Sequence, residues 1–188
     1  ALIKAALASI SKTGEVQFSL RELAESVGVS HPAAYRHFSS KREILFEIAK
    51  DGFLRLGLEF EKILAKNPED IVSLGVKYVH FAINNPDHFK VMFHPDLKTE
   101  KNDLEALAVG RKTFEHLHNC VLANQKNKKF PKVKSEYVSI TAWSTVHGLA
   151  VLMVNENIHP EMGVNKKDFE ALATIVANQL MAGLMARA

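Results

Sequence analysis

The side chains best suited to recognition chemistry crowd into one stretch, SHPAAYRHFSSK, at residues 30–41. Arg36 carries the planar fork that reads guanine, and the hydroxyls of Tyr35 or the neighbouring serines can hold a phosphate. Ser19, at the start of one helical pattern, and Lys41, just inside another, stand where orphan backbone N–H groups and the helix dipole favour anions. The patterns of bond-breaking chemistry are missing. The chain has no Gly-rich phosphate loop, no G-x-S-x-G elbow and no H-E-x-x-H, and scattered Ser, His and Asp make no triad without geometry.

The elements that must position this stretch are two short helices with a break between them. Leu20, Leu23, Ala24 and Val27 recur at i, i+3, i+4 and i+7, and Ser19 with Glu22 three residues later predicts a capping box. Gly28 can take positive φ at no cost and ends that helix. Ser30 caps the next one, with Pro32 tolerated in its first turn. Small Ala24 lies where the two must cross. This is a helix-turn-helix pattern, whose second helix enters the DNA major groove while the first crosses the backbone. With Ala34 and Phe38 inward, His31, Pro32, Ala33, Tyr35, Arg36 and His37 face the DNA. A helical hairpin inside a plain bundle shares this cap–period–Gly–cap pattern.

Helical periodicity extends over the rest of the chain. A first helix places Leu2, Ala5, Ala6, Ser9 and Ile10 on one face and ends near Thr13-Gly14. A long helix runs from after Ser40 to about Lys66, with Ile44, Leu45, Ile48, Phe53, Leu56, Phe60 and Ile63 as its apolar stripe. Further helices are expected over 69–84, 86–93, 100–123, 132–156 and 166–187, broken at Asn85-Pro86, His94-Pro95, the polar run 124–132 and NIHPEMG at 157–163. No segment alternates with period two. The expected fold is all-α with about nine helices.

The totals agree with a soluble globular chain. It has 188 residues, 47% of them hydrophobic and 24% charged, and a formal net charge of +3, which tolerates an anionic partner without demanding one. Its single cysteine excludes an internal disulfide and fits a reducing, cytoplasmic compartment. No uninterrupted apolar run approaches the roughly 20 residues that span a bilayer. The start, ALIKAALASI, lacks a cleavable-signal pattern and an initiator Met, so a chain trimmed at its N-terminus is expected.

The string LRELAESVGVSHPAAYRHFSSKREIL resembles the DNA-binding domain of TetR-family transcriptional regulators, and residues 1–50 match it throughout. The resemblance implies DNA contacts from Ser19, Arg21, Ser30, His31, Ala33, Tyr35, Arg36, His37 and Lys41. Ala33 stands where the family more often has Thr, which removes a hydroxyl, and Ala34 where a larger apolar residue is common. Farther on, YVHFAINNPDHFKVMF (78–93) and AWSTVHGLAVLM (142–153) resemble a subgroup with a Trp…His-Gly signature, supplied here by Trp143, His147 and Gly148. The implied organisation is a three-helix DNA-binding domain at 1–50 and a helical bundle at 51–188 for effector binding and dimerisation.

The residues of that second part are compatible with both roles. Helices 132–156 and 166–187 carry apolar residues over more than one face, for example Leu172, Val176, Leu180 and Leu184 beside Ala173 and Ala177, so each needs a second partner, which its own core or another subunit can supply. Gly148 permits close helix approach. A homodimer would set two recognition helices about 34–36 Å apart and imply a palindromic operator in double-stranded DNA. Phe81, Phe89, Met92, Phe93, Phe114, Leu117, Trp143, His147 and Met153 are candidates for an apolar pocket with His147 as a polar anchor, or are simply core. No cofactor and no metal are expected. His116 and Cys120 share a helix face at i, i+4, but no second ligand pair stands near them, and Cys120 is expected to be a small buried hydrophobe rather than a redox sensor. The basic run KNKKFPKVK (126–134) is expected to be a solvated loop. The function read from this is a non-enzymatic, sequence-specific regulator, a repressor released by a small apolar or aromatic effector. The alternative is a DNA-binding regulator with no small-molecule effector, controlled by a protein partner.

Overall fold

The computed structural model describes residues 1–97 and 104–186. Among these, nine α-helices and three single-turn 3₁₀ segments form all the regular structure, and no strand occurs. The all-α expectation holds. The chain divides into two compact units, Ala1–Leu54 with Asn85–Gly110, and Arg55–Asn84 with Arg111–Ala188.

The first unit is built on α1 (Leu2–Thr13), α2 (Leu20–Ser26), α3 (His31–His37) and the opening turns of α4 (Lys41–Leu64). Leu2, Ala6 and Ile10, spaced by four, are the buried face of α1, which ends at Gly14 with φ at +74°, a conformation glycine adopts without strain. Leu20, Leu23 and Ala24 of α2 and Ile44, Leu45, Ile48 and Ala49 of α4 complete the core. Burying each leucine-sized side chain contributes about 1.5–3 kcal/mol, enough to fix such short helices that would fray in isolation. Helix α6 (Pro86–Met92) belongs to this unit, a return that no periodicity marks. Lys90 Nζ donates to the Gly14 carbonyl at 2.8 Å, and His88 Nε2 lies 3.1 Å from Asp51 Oδ2. Gly52 makes the close crossing, because a Cβ there would stand 2.6 Å from Met92 Sδ.

In the second unit, α5 (Ile71–Asn84) packs against α8 (Ser135–Val154) and α9 (Phe169–Met185), joined by the later turns of α4 and of α7 (Leu104–Lys126). Ile71, Leu74, Gly75, Tyr78, Val79, Phe81 and Ala82 bury most of the circumference of α5. At Gly75 an added Cβ would lie 3.2 Å from Val146 Cγ1 and 3.4 Å from Ala177 Cβ, so three helices meet over glycine and alanine.

Several ends differ from the periodicity, α8 beginning at Ser135 rather than at residue 132. Helix α7 runs on to Lys126 through the polar run, because buried Asn124 donates to the carbonyls of Glu69 at 3.0 Å and Cys120 at 2.9 Å. Helix α9 starts at Phe169, after a 3₁₀ turn at Lys166–Asp168 that Asn165 and Asp168 cap reciprocally. The expected helix start at residue 100 and end at residue 187 lie outside the described residues. One helix, α8, is long and apolar enough to cross a membrane by length and composition alone, with a mean hydropathy of 1.4. Its polar Ser, Thr and His residues interrupt the run in sequence. Only 33% of that stretch is buried within the chain.

Candidate nucleic-acid interface

Local interactions set up the two helices of the interface. The Ser19 Oγ accepts from the Glu22 N–H at 3.2 Å, and Glu22 Oε2 accepts from the Ser19 N–H at 2.8 Å, closing the capping box. Hydrogen bonds from Ser19, the backbone one first, hold the Glu22 carboxyl below the usual glutamate value. Gly28 turns the chain at φ +71°, and a Cβ there would meet nothing within 4 Å, so conformation alone selects glycine. Ser30 Oγ then accepts from the Ala33 N–H at 3.4 Å. Helix α3 sits on α2 through Ala34, 0% exposed, and Ala24, 1% exposed. Neither side chain extends past Cβ, which brings the helices close. At the start of α4, Glu43 accepts from both the N–H and the hydroxyl of Ser39 at 2.7 Å, and these bonds hold its carboxyl low.

What the scaffold presents is one face of α3. His31, Pro32, Tyr35, Arg36 and His37 are exposed, Ala33 is half-buried and Ala34 is fully buried, while Phe38, expected to point inward, is only half-buried. The His31 and Tyr35 rings meet edge-on with centroids 4.7 Å apart, which orders two of the polar groups before any partner arrives. Ser19 is the N-cap of α2 and Arg21 lies in its first turn, both exposed. Arg21 Nε is 3.1 Å from Glu25 Oε1, an exposed pair that a phosphate can compete for at small cost. Lys41 is directed elsewhere. Its ammonium donates to the Val16 carbonyl at 2.9 Å and lies 5.4 Å from the centre of the Phe18 ring, tying α4 to the loop after α1. A helix face with one phenol, two imidazoles and one guanidinium fits phosphates and base edges, with Arg36 as the group able to bind guanine bidentately.

Two profiles of known families match the chain in tandem. Residues 2–48 match the profile of bacterial regulatory proteins of the tetR family, and residues 71–178 that of the tetracyclin repressor-like C-terminal domain. The chain belongs to the TetR family. It is therefore a TetR-family transcriptional regulator with a DNA-binding helix-turn-helix. Solved structures repeat the fold over nearly the whole length. A protein of unknown function from Rhodococcus sp. RHA1 aligns with a TM-score of 0.80 at 23% identity, covering 98% of this chain and 93% of that one. The TetR-family regulator PfmR of Thermus thermophilus aligns at 0.76 and 20% identity, over 97% and 98%. FadR of Bacillus subtilis, solved with stearoyl-CoA, aligns at 0.75 and 16% identity, over 97% of each. No curated protein matches.

The residues expected to line an apolar pocket in this TetR-family chain fall into two groups. Phe89, Met92 and Phe93 lie in the first unit, where the Phe93 ring is 5.2 Å from Phe89 and 5.7 Å from Phe53. Phe81, Phe114, Leu117, Trp143, His147 and Met153 lie in the second. There Trp143 stands 6.0 Å from Phe114 and 5.6 Å from His147, ring centre to ring centre, while Phe81 and Met153 are buried. Sequence reasoning missed Tyr78, whose hydroxyl is 2.7 Å from His147 Nδ1 and accepts from Trp143 Nε1 at 3.3 Å. A signal was present in the sequence, since Tyr78 is the first residue of the stretch YVHFAINNPDHFKVMF that carries part of the resemblance. His116 turns toward Glu61, its Nε2 3.6 Å from Oε1, and Cys120 is buried. Burial, then the charges of Asp70 and Glu69, push the Cys120 thiol up to about 12, so it carries no thiolate at neutral pH. Among the described residues no three metal-ligating side chains converge. The basic run 126–134 is pinned by buried Phe130, by Lys129 bonded to Glu69, and by Gln125 Nε2 donating to Pro131 and Val133.

Proposed function

We propose that this chain is a cytoplasmic, homodimeric TetR-family repressor that binds a palindromic operator and is released by a small apolar or aromatic effector, and that it is not an enzyme. In this reading residues 1–50 recognise DNA, while 51–188 dimerise and bind the effector. The observation that carries it is the exposed face of α3, which holds His31, Tyr35, Arg36 and His37 on a helix capped at Ser30. Ser19, Arg21, Ser30 and Ala33 belong to the same DNA contact, and Lys41 supports it from α4.

A dimer is supported by what α8 and α9 leave uncovered. Tyr137, Ile140 and Leu152 on α8 and Ile175 and Met185 on α9 are exposed. The polar groups among them satisfy themselves. Thr141 and Thr145 donate to the carbonyls of Tyr137 and Thr141 at 2.8 and 2.9 Å, and Thr174 and Asn178 to those of Glu170 and Thr174 at 3.1 and 2.9 Å. Beside the exposed polar Glu136, Ser144, Glu170 and Gln179, these helices present methyl and apolar surface, which favours a partner. An effector is supported by the neighbouring rings of Phe114, Trp143 and His147, and by the stearoyl-CoA bound to the FadR structure. Such a ligand shifts the DNA-competent population only by its differential affinity for the two states. The unbroken α4, shared by both units, is the element that transmits its effect.

In vitro selection from a random DNA pool, with winners re-measured at two salt concentrations, tests the reading. The expected result is a palindrome with half-sites about one helical turn apart, bound far above random DNA at both salts. Binding that fades with salt and enriches no motif overturns it.

A further inference from the structure

Residues 126–134 of the second unit, KNKKFPKVK, hold five lysines and no acidic residue. That local +5 exceeds the formal +3 of the whole chain, so the rest of the chain is net negative. Residues 1–50, which carry the helix-turn-helix, have seven Lys and Arg against five Asp and Glu. The densest positive charge therefore lies outside the DNA-binding helices.

The segment is held in place. Phe130, 1% exposed, anchors its middle. Gln125 Nε2 donates to the carbonyls of Pro131 and Val133 at 2.8 and 2.9 Å, and the Lys129 N–H donates to the Asn124 carbonyl at 2.9 Å. Glu69, from the loop before α5, accepts from the Asn127 amide and the Lys129 ammonium and is thereby engaged. Lys134 is drawn to the Tyr137 ring at 5.6 Å and to Glu136. Lys126, Lys128 and Lys132 are exposed and, among the described residues, enter no ion pair. Lys128 holds φ at +57°, where glycine would be free of strain, so the turn keeps a lysine at a backbone cost.

We propose that Lys126, Lys128 and Lys132 form a second DNA contact, a sequence-independent phosphate-binding surface on the second unit that takes the backbone of duplex DNA. Duplex DNA carries one charge per about 1.7 Å of axis, and lysine meets phosphate as a point charge without the paired geometry that base reading needs. Protein interfaces are depleted in lysine. A lipid surface is held by several large apolar side chains beside the cations, and within this segment only Val133 stands exposed among the lysines. The contact goes beyond the operator reading and does not depend on it.

Amine acetylation of the full chain, read residue by residue by mass spectrometry, tests the surface with a short duplex of random sequence. Labelling of Lys126, Lys128 and Lys132 is expected to fall several-fold when the duplex is added, while exposed Lys62 on α4 is unchanged. The protection is expected to persist in Arg21→Ala with Arg36→Ala, which weakens the helix-turn-helix contact. Replacing the three lysines by Gln should make the fall of log affinity with log salt shallower by about 0.9 for each, with the selected operator motif unchanged. Unchanged labelling under saturating duplex overturns the proposal. So does protection that vanishes in the Arg21→Ala, Arg36→Ala protein, since DNA held at α3 then casts the shadow. Protection by phosphatidylglycerol vesicles but not by the duplex replaces DNA with a lipid surface, and equal protection by poly-glutamate overturns the choice of DNA. A selection that enriches no palindrome bears on the operator reading alone, because the probe here is random duplex.

Discussion

Gly148→Arg separates the fold of the chain from its assembly. Gly148 is exposed midway along α8, on a line of residues spaced by four that runs Ile140, Ser144, Gly148, Leu152. A Cβ built there meets nothing within 4 Å. Glycine inside a helix costs about 0.5–1 kcal/mol relative to alanine, and nothing within this chain compensates. In a two-fold dimer closed through α8 and α9, the glycine admits the partner helix. Arginine there should leave the single chain as stable as before, or up to about 1 kcal/mol more so, because α8 gains helix propensity. The dimer should lose about 3 kcal/mol for each charge buried without a partner, and symmetry brings two, so its dissociation constant rises by about four orders of magnitude. Sedimentation equilibrium over a concentration series measures the constant, and far-ultraviolet circular dichroism checks that the helices persist. Gly148→Ala should fall between the two, since only a methyl group enters the gap. A Gly148→Arg protein that dimerises as tightly as the wild type would refute the assignment of this face, and a monomeric wild type would do so sooner.

Three other predictions concern separate parts of the chain. Arg36→Ala should weaken binding of the selected operator by about 1–3 kcal/mol and relax preference at one base pair, with melting unchanged because the side chain is exposed; a fluorescence competition assay against single-base variants reads both. Gly75→Val should destabilise the second unit by about 1–3 kcal/mol, since its first carbon already stands 3.2 Å from Val146 and two more must follow; urea unfolding measures this, and wild-type stability would contradict the crossing described. Glu22 has a folded-state pKa below its ordinary 4.5, so its stabilising contribution is present above that value and is lost as pH falls through the lowered one. Glu22→Gln should therefore lower stability at neutral pH and flatten the acid limb below 4.5, as pH-dependent unfolding would report; an unchanged limb would argue against the capping box.

What was legible in the sequence was local. The Ser19–Glu22 box, the Gly28 turn and the Ser30 cap each depend on groups three or four residues apart, and all appear in the structure. The recognition face followed from the same short-range physics, since seven residues of helix with one inward alanine leave little choice of which side chains point out. Tertiary contacts decided the rest. The candidate aromatics read as one set because each is apolar and helical, yet Phe89, Met92 and Phe93 pack in one unit and Trp143 and His147 in the other. Lys41 has the position and charge of a phosphate contact, and only the tertiary structure shows that one of its three N–H groups also donates to a carbonyl 25 residues earlier in the chain. Polar residue 124 looked like a helix end until its amide found the Glu69 carbonyl.

The sequence by itself determined that helices form, the caps of α2 and α3 and which side chains of α3 stand exposed, because intrahelical bonds and caps reach only about four residues along the chain. Only the tertiary structure brought Tyr78 within 2.7 Å of His147, gathered α6 against α1 and α4, and left one face of α8 uncovered. Those outcomes depend on which faces meet across 37 or more residues of chain, and periodicity shows that a face exists without naming the face it will meet.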